Sequence, residues 1–443
     1  MSSDVLTEDS VAMDFAAKYA GKLHYCHTTG CWFEFAGSHW RREEKKRAFH
    51  YSRVLARDRC AGAKARTKQN AGRASFANGV ERFAQADTRL SVTADAWDSD
   101  PYLLATPGGT VDLRTGELRA AKPEDMITRV AATTPAKIAK CPRWDQFLID
   151  ATKDDSDTIR FLKGWCGYCL TGDTKEQNLI FLHGNGGNGK GVFINTVQSI
   201  LGTYAVVAAM DTFTQSGGDK HPTDLAMLAG ARMVTASETE EGRAWAEARI
   251  KSLTGGDPIT ARFMRRDFFT FTPTFKLTVV GNHKPLLNNV DDAARRRFNI
   301  VNFHHKPSSP DPDLLQKLKA EWPGILRWMI DGCLEWQRHG LQRPESVTQA
   351  TAEYFEAQDL FGQWLADECE CDVAREFRTE PSKTLFASWS AYAGQAGERA
   401  GSRKKFAEAL QRSGIFPVKG TGGARMFKGI RLKPISQDGA RWD

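Results

Sequence analysis

The sequence predicts an α/β protein built on a parallel sheet, with an α+β domain before it and a helical, winged-helix-like domain after it. Apolar runs of strand length lie at residues 177–183, 232–237 and 276–281, and stretches with helical character separate them. Alternation of buried strands with helices is typical of a parallel sheet that is covered on both faces. A length of 443 residues is enough for several domains of ordinary size. We therefore expect a central α/β core within a multidomain chain.

The N-terminal part is expected to form an α+β domain over residues 1–140. Apolar residues at helical spacing in residues 10–22 predict a helix, and the aromatic-rich stretch 32–40 with its turn residues predicts a hairpin. Two glycine-containing turns within residues 103–120 predict a compact β element.

A basic segment at residues 41–75 dominates the charge of the chain. It holds twelve Lys or Arg against three acidic residues, a local charge of 12 minus 3, or +9. The whole chain carries 61 basic and 54 acidic side chains, a net charge of +7. Such a surplus favours polyanionic partners such as nucleic acid, and the plainer alternative is a solvated helix face. The sequence leaves both interpretations open.

The central core is expected over residues 141–305, because a Pro-, Ser- and Asp-rich linker follows at residues 306–312. Amphipathic spacing then predicts a helical extension of the core, so that this region spans residues 306–345. Residues 346–443 form the last predicted domain, where a helix, a glycine-rich turn and a strand follow one another as in a winged-helix DNA-binding domain.

A glycine-rich turn after the first apolar strand gives the strongest chemical signal. It matches the pattern G-x-x-x-x-G-K, in which glycines let backbone N–H groups turn towards phosphates and the lysine reaches the terminal phosphates. The helix that follows adds a dipole that favours an anion at its N-terminus. The alternative is a flexible glycine turn. The pattern predicts a P-loop that binds ATP through Gly184, Asn185, Gly186, Gly187, Asn188, Gly189, Lys190 and Gly191.

Gly191 departs from the usual P-loop pattern, in which a Ser or Thr hydroxyl at this position ligates Mg²⁺. Mg²⁺ keeps several waters in such sites, so a water can replace the hydroxyl while nearby acids hold the ion. We expect this departure to affect hydrolysis more than nucleotide binding.

Acidic residues follow the second apolar strand, where ligands of open α/β sheets bind. Glu238 stands at the end of the strand and best fits a Mg²⁺ ligand, while either Glu240 or Glu241 fits the base that orients the attacking water. Asn282 stands at the end of the third strand, where its amide can hold the terminal phosphate or the water.

Basic and aromatic residues lie between the second and third strands and predict a hairpin that contacts DNA. Arginines suit phosphates and phenylalanines suit base stacking. An adjacent triplet at residues 295–297 can neutralise charge during phosphoryl transfer or bind nucleic acid. The candidate DNA-binding residues are Arg262, Arg265, Arg266, His283 and Lys284.

Taken together, the strings at residues 184–190, 236–242, 250–262 and 275–285 resemble the superfamily 3 helicases of the phage/plasmid primase-associated, poxvirus-like class. Residues 103–118 resemble the domain that precedes the helicase in that family, so the likeness spans about residues 15–340.

This resemblance implies an AAA+-like P-loop ATPase core that assembles into a homo-hexameric ring, hydrolyses ATP with Mg²⁺ and moves along single-stranded DNA to unwind forks. It implies the Walker A role for Lys190, the Walker B role for Glu238 with Glu240 and Glu241, and the sensor role for Asn282. Arg265 and Arg266 match the hairpin that enters the ring channel. Arg296 and Arg297 match paired arginines, one of which acts across the subunit interface as a finger.

We therefore expect a replicative helicase of a phage, prophage or plasmid, without primase activity in the same chain and working with a separate primase. A nucleotide-sensing DNA-binding or loader protein without robust hydrolysis is the alternative from another class. A genome-packaging motor shares the ATPase chemistry but normally adds a nuclease, for which no acidic cluster is found. An acidic N-terminus and the lack of a long apolar run predict a cytoplasmic protein without a membrane segment.

Overall fold

A computed structural model describes residues 6–215, 223–238, 243–264, 267–287, 291–372, 379–396, 400–420 and 424–434. The chain divides into two compact units. The first contains residues 1–285 and 296–350, and the second contains residues 286–295 and 351–443.

The N-terminal part of the first unit is a small sheet with helices packed on one face. Its strands run in the order β3-β2-β1-β4, where β1 and β4 are parallel and the other pairs antiparallel. Val11, Phe15, Trp32, Leu55 and Val80 join the helices to this sheet in one buried cluster. The elements are α1 Glu8–Tyr19, β1 Leu23–Cys26, β2 Cys31–Phe35, β3 Trp40–Arg42, α2 Arg47–Arg59, α3 Ala65–Ala71, α4 Ala74–Ala86 and β4 Ser91–Val92.

A three-stranded meander follows and packs into the core of the central region. Leu104 and Val111 are fully buried in the same cluster as the helices around the central sheet. The meander comprises β5 Leu103–Thr106, β6 Gly109–Asp112 and β7 Glu117–Arg119. It confirms the compact β element that the glycine turns predict.

The central region alternates helices and strands. Among the described residues, five strands form a parallel sheet in the order β14-β8-β13-β10-β9. The elements are α5 Pro142–Thr152, α6 Ser156–Cys169, β8 Leu179–His183, α7 Lys190–Leu201, β9 Ala205–Val207, α8 Thr223–Ala226, β10 Met233–Glu238, α9 Glu247–Gly255, β11 Ile259–Ala261, β12 Phe269–Phe271, β13 Lys276–Gly281, α10 Asp292–Arg295 (in the second unit), β14 Phe298–Asn302, α11 Leu314–Lys319 and α12 Trp322–His339.

The mixed α/β class with a parallel sheet is thereby confirmed. β8, β10 and β13 coincide with the apolar runs, whereas β9 and β14 are not among the predicted strands. β14 escapes prediction because it follows three arginines and contains Asn299 and Asn302. Asn299 is nevertheless fully buried, and its amide Nδ2 donates to the carbonyl of Leu179 at 2.9 Å.

Helices α6 and α12 approach closely because each contributes a glycine to their contact. A Cβ atom on Gly167 would lie 2.1 Å from the backbone N of Cys333, and one on Gly332 would lie 2.2 Å from the carbonyl O of Lys163. No side chain fits at these distances. The separation of the two helices therefore depends on both glycines.

Gly167→Ala should lower the free energy of unfolding by about 3 kcal/mol, because overpacking forces two helix backbones apart. Gly164→Ala in the same helix is the matched control, since its Cβ would meet only Leu341 Cδ2 at 3.7 Å. That variant should be neutral or gain about 0.5–1 kcal/mol, because alanine favours a helix over glycine. Urea unfolding followed by tryptophan fluorescence measures both. Equal unfolding midpoints for the two variants would contradict the close helix contact.

The second unit has its own core of aromatic residues, in which the ring centroid of Trp364 lies 5.9 Å from that of Trp389 and 5.7 Å from that of Phe406. The winged-helix assignment stays a prediction, and its glycine-rich turn falls partly on residues 421–423, outside the described residues. No helix in the described part of the chain is long and apolar enough to cross a membrane. The elements from residue 345 onward are α13 Glu345–Gln358, α14 Leu360–Glu368, β15 Cys369–Cys371, β16 Thr379–Pro381, α15 Ser382–Gln395, α16 Arg403–Arg412, β17 Pro417–Lys419, β18 Arg425–Lys428 and β19 Ile430–Leu432.

Candidate nucleotide-binding site

The carboxyl ends of the central strands are aligned at one edge of the sheet. Asn302 on β14 lies beside His183 on β8, His183 lies beside Gly281 on β13, and Gly281 lies beside Glu238 on β10. Because the strands are parallel and in this register, the chain segments that follow them all begin at the same edge of the sheet, where the strands have their carboxyl ends. Ligands of open α/β sheets bind at such an edge.

The glycine loop, residues 184–189, connects β8 to α7 at this edge. Gly187 and Gly189 have φ angles of 80° and 89°, in the left-handed region that favours glycine. A Cβ atom on Gly189 would also lie 2.8 Å from Phe147 Cε2 on α5. The sequence pattern of this loop is therefore required by its backbone conformation and by its packing.

The side chain of Asn188 links the glycine loop by a hydrogen bond to the segment that follows β14. Its side chain is buried, its Nδ2 donates to the carbonyl of Phe303 at 2.6 Å, and its Oδ1 accepts a hydrogen bond from Lys190 at 3.0 Å. One amide thus holds both the loop and the lysine in place.

Lys190 begins α7 and points back into the loop. Its side chain is 5% exposed, and its Nζ donates to Gly184 O at 2.5 Å, to Asn188 Oδ1 at 3.0 Å and to Asn282 Oδ1 at 3.1 Å. Within the described residues no carboxylate forms an ion pair with it, and burial lowers the pKa of Lys190. Three neutral oxygens therefore hold a cation whose charge is left for an anion to balance.

Asn282 is thus brought to Lys190 across the sheet, although 92 positions separate them in the chain. The backbone of Glu238 lies on the strand adjacent to β13, paired with Gly281. Its side chain, together with Glu240 and Glu241, lies outside the described residues. The proposed metal and base roles of these acids stay predictions.

The structure adds His183 and Lys306, which no sequence motif signals. His183 Nδ1 lies 3.1 Å from Asn302 Oδ1, and burial, with the charge of Lys284 as a further cause, lowers the pKa of His183. The side chain of Lys306 runs beside the loop, because a Cβ atom on Gly187 would lie 3.4 Å from Lys306 Cε. A neutral imidazole and a second cation therefore accompany Lys190.

Arg296 and Arg297 lie at the amino ends of the strands, opposite the end that carries the glycine loop. They immediately precede β14, and the carbonyl of Arg297 accepts a hydrogen bond from the backbone N–H of Leu179, where β8 begins. The five residues of β8 span roughly 16 Å. In a single chain these arginines therefore do not reach the glycine loop.

The two arginines also differ in exposure. Arg297 is 7% exposed and donates to Gln177 Oε1 at 3.3 Å, so its side chain is buried within the chain. Arg296 is exposed, and its carbonyl accepts a hydrogen bond from Arg343. Arg296 is the member of the pair whose side chain is available to another molecule.

A β-hairpin formed by β11 and β12 carries exposed aromatic residues at its tip. Phe263 and Phe268 are 44% and 60% exposed, and the guanidinium of Arg262 lies 4.7 Å from the ring centroid of Phe268. Phe263 is stacked on Phe269 at 5.7 Å. The predicted hairpin is confirmed in this part, whereas Arg265 and Arg266 fall outside the described residues.

Gly191 has room for the hydroxyl that it lacks, because a Cβ atom built there would meet nothing within 4 Å. Gly191→Ser should therefore fold normally. It should lower the Mg²⁺ concentration that half-saturates the ATP hydrolysis predicted from the sequence by roughly 3- to 10-fold, since a hydroxyl ligand is added. Gly191→Ala is the matched control, with the same backbone effect and no oxygen. A Mg²⁺ requirement that is equal in the Ser and Ala variants would contradict a metal beside Gly191.

Fold and geometry define an α/β protein whose parallel sheet carries a glycine loop, a buried lysine and an asparagine at its carboxyl edge. Residues 12–153 match the family described as D5 N terminal like, and residues 182–297 match a family of unknown function, DUF5906. The second match begins within β8 and contains the glycine loop, β10 and β13.

Curated relatives with similar sequences are viral proteins that are named as helicases or primases. A protein of Acanthamoeba polyphaga mimivirus that is named as a helicase is 25% identical in an alignment of 308 residues, and the match covers 61% of this chain and 31% of the relative. A helicase of Frog virus 3 is 24% identical over 67% of this chain and 39% of the relative. A primase of African swine fever virus is 21% identical over 56% of this chain and 27% of the relative. The chain thus spans about a third of the length of these relatives.

Among solved structures, the apo C-terminal region of NrS-1 is similar in fold, with a TM-score of 0.52 and 10% sequence identity. The match covers 95% of this chain and 99% of the NrS-1 region. It extends the likeness of fold beyond the two family matches to nearly the whole chain.

Proposed function

We propose that this protein is an ATP-dependent replicative DNA helicase of the superfamily 3 class, encoded by a phage, prophage or plasmid. The observation that carries the proposal is the position of Lys190, held by the glycine loop on one side and by Asn282 on the other. The similarity to viral proteins named as helicases and primases supports the same function.

In this proposal the glycine loop binds the phosphates of ATP through its backbone N–H groups and the N-terminus of α7. Lys190 turns from its neutral oxygen partners to the terminal phosphates, and Asn282 positions the phosphate or the attacking water. Mg²⁺, when bound, neutralises charge on the phosphates, and Glu238, the last residue of β10, is the residue that would hold it. Oxygen ligands and the open space at Gly191 suit this ion.

The proposed active unit is a ring of identical chains, a homo-hexamer by family resemblance. The strand register favours this arrangement, because Arg296 lies roughly one strand length from the glycine loop of its own chain. It can serve a nucleotide only in a neighbouring copy. A head-to-tail ring brings the two opposite sheet edges of adjacent chains together.

The proposed helicase moves along single-stranded DNA, and the β11–β12 hairpin is proposed to contact that strand. Exposed Phe263 and Phe268 offer faces for base stacking, and Arg262 offers a charge for phosphate. Arg265, Arg266, His283 and Lys284 are proposed to add to this contact.

Strand displacement on forked DNA tests the proposal. With ATP and Mg²⁺ the purified chain should separate a fork that has a single-stranded arm, and native mass measurement should give six copies. Omission of either ATP or Mg²⁺ should stop the reaction. Failure to separate any fork under conditions where ATP is hydrolysed would exclude a helicase.

A nucleotide-sensing DNA-binding or loader protein is the second candidate, and Gly191 favours it because a hydroxyl ligand for Mg²⁺ is missing. This candidate binds ATP and DNA but releases no phosphate with any DNA. Phosphate release therefore separates the two functions.

A further inference from the structure

The N-terminal part of the first unit exposes a second basic surface that the proposed helicase activity does not use. On α2, Ala48, Ser52, Leu55 and Ala56 face the buried core, and Arg53 and Arg57 lie one turn apart on the exposed side. On α3 every residue except Ala71 and the half-buried Thr67 is exposed. The basic surface is formed by Arg53, Arg57, Lys64, Arg66, Lys68 and Arg73, all of which are exposed.

No acidic residue that the structure describes forms an ion pair with any of these six cations. Arg47 and Arg59, at the two ends of α2, form ion pairs with Glu34 and Asp14. Within the described residues none of the six members of the basic surface forms one, and the first turns of α2, α3 and α4 contain no acidic residue. Like charges one turn apart on a helix cost stability. A polyanionic ligand would offset that cost.

The chemistry of the basic surface fits double-stranded rather than single-stranded DNA. Proteins that bind single strands combine positive charge with exposed aromatic rings that stack on bases. Here α3 has no Phe, Tyr or Trp, Phe49 of α2 is half-buried, and Tyr51 is stacked on Tyr19. The β11–β12 hairpin has the opposite character, with exposed phenylalanines. Duplex DNA has the denser phosphate charge and needs no stacking partner.

We propose that the basic surface binds the phosphate backbone of double-stranded DNA, while the hairpin binds the single strand. The choice of DNA as the polyanion rests on the proposed function. The presence of an anion-binding surface rests only on the exposure and the unpaired charges of these residues. A protein acting at a fork would then hold both forms of DNA on separate surfaces.

The test uses the full chain without nucleotide and measures binding to a duplex and to a single strand of the same length by fluorescence anisotropy. The basic-surface variant replaces Arg53, Arg57, Arg66 and Lys68 by Gln, which keeps helix propensity. The control variant replaces four exposed cations elsewhere in the first unit by Gln, so that each variant changes the net charge from +7 to +3 (7 minus 4). The control positions are Lys137, Lys140, Lys153 and Arg338.

The basic-surface variant should bind duplex roughly 30-fold more weakly near 0.1 M salt, with a salt slope smaller by about 3, because up to four phosphate contacts are lost. Its affinity for the single strand should change by less than about 3-fold, as should both affinities of the control variant. A Phe263→Ala/Phe268→Ala variant should lose roughly 10-fold in single-strand affinity and keep its duplex affinity.

Equal losses of duplex affinity in the basic-surface and control variants would overturn the inference, because net charge alone would then explain them. Thermal unfolding checks that each variant is folded, and the double variants Arg53→Gln/Arg57→Gln and Arg66→Gln/Lys68→Gln repeat the test if the fourfold change unfolds. ATP hydrolysis separates this inference from the proposed function. If the basic-surface variant selectively loses duplex binding but the wild-type chain never hydrolyses ATP, the basic surface is supported and the helicase is excluded. If the wild-type chain hydrolyses ATP but the variant keeps its duplex affinity, the helicase is supported and the basic surface is excluded.

Discussion

Lys190→Ala should lower the proposed ATP hydrolysis by roughly 100- to 1000-fold, because it removes the buried cation that lies between the glycine loop and Asn282. The variant should remain folded, since the lysine is buried without a carboxylate partner and its burial lowers its pKa. Phosphate release measures the rate, and DNA binding without nucleotide should be unchanged.

Lys306→Ala is the matched control for this variant, because Lys306 runs beside the same loop but is exposed. We expect less than a roughly 10-fold loss of rate there, as an exposed charge contributes less than a buried one. Hydrolysis by Lys190→Ala at the rate of the wild-type protein would show that the phosphates of ATP bind elsewhere.

Arg296→Ala should also lower the rate of ATP hydrolysis, by roughly 1000-fold, if this exposed arginine acts on the nucleotide of a neighbouring chain. The strand register predicts a distinctive behaviour of mixtures. Rings assembled from equal amounts of Lys190→Ala and Arg296→Ala chains should recover activity, because about a quarter of the interfaces then combine an intact lysine with an intact arginine. Each variant alone should keep at most about 1% of the wild-type rate.

Arg297→Ala tests the buried neighbour of Arg296, the arginine proposed to act as the finger. Since Arg297 is 7% exposed and hydrogen-bonded to Gln177, its loss should lower the unfolding temperature rather than give a folded, inactive chain.

The mixing experiment has a contradicting outcome as well. Mixtures of Arg296→Ala and Lys190→Ala that stay inactive, while both variants assemble normally, would exclude catalysis across the interface.

The sequence predicts those parts of the fold whose signal is local. β8, β10 and β13 are apolar runs, and the glycine loop has a pattern that its left-handed backbone requires. β9 is only three half-exposed or exposed residues long, and β14 begins after a run of charge, so neither has a local apolar signature.

The candidate site could be predicted where a motif marks it. Lys190 ends the glycine-rich string and Asn282 directly follows β13, and their contact follows from the parallel register. Lys306 lies in a linker and His183 ends a strand, so only the fold brings them to the loop. A run of three arginines likewise does not predict that Arg297 is buried and Arg296 exposed, because burial depends on how the chain enters β14.

The most direct test of the central claim is the release of phosphate from ATP by the wild-type protein, with and without single-stranded DNA, at low salt and in the presence of Mg²⁺. We predict hydrolysis that single-stranded DNA stimulates at least about 10-fold, with the stimulation falling as salt rises. Binding of ATP without phosphate release at any concentration of DNA would contradict the account.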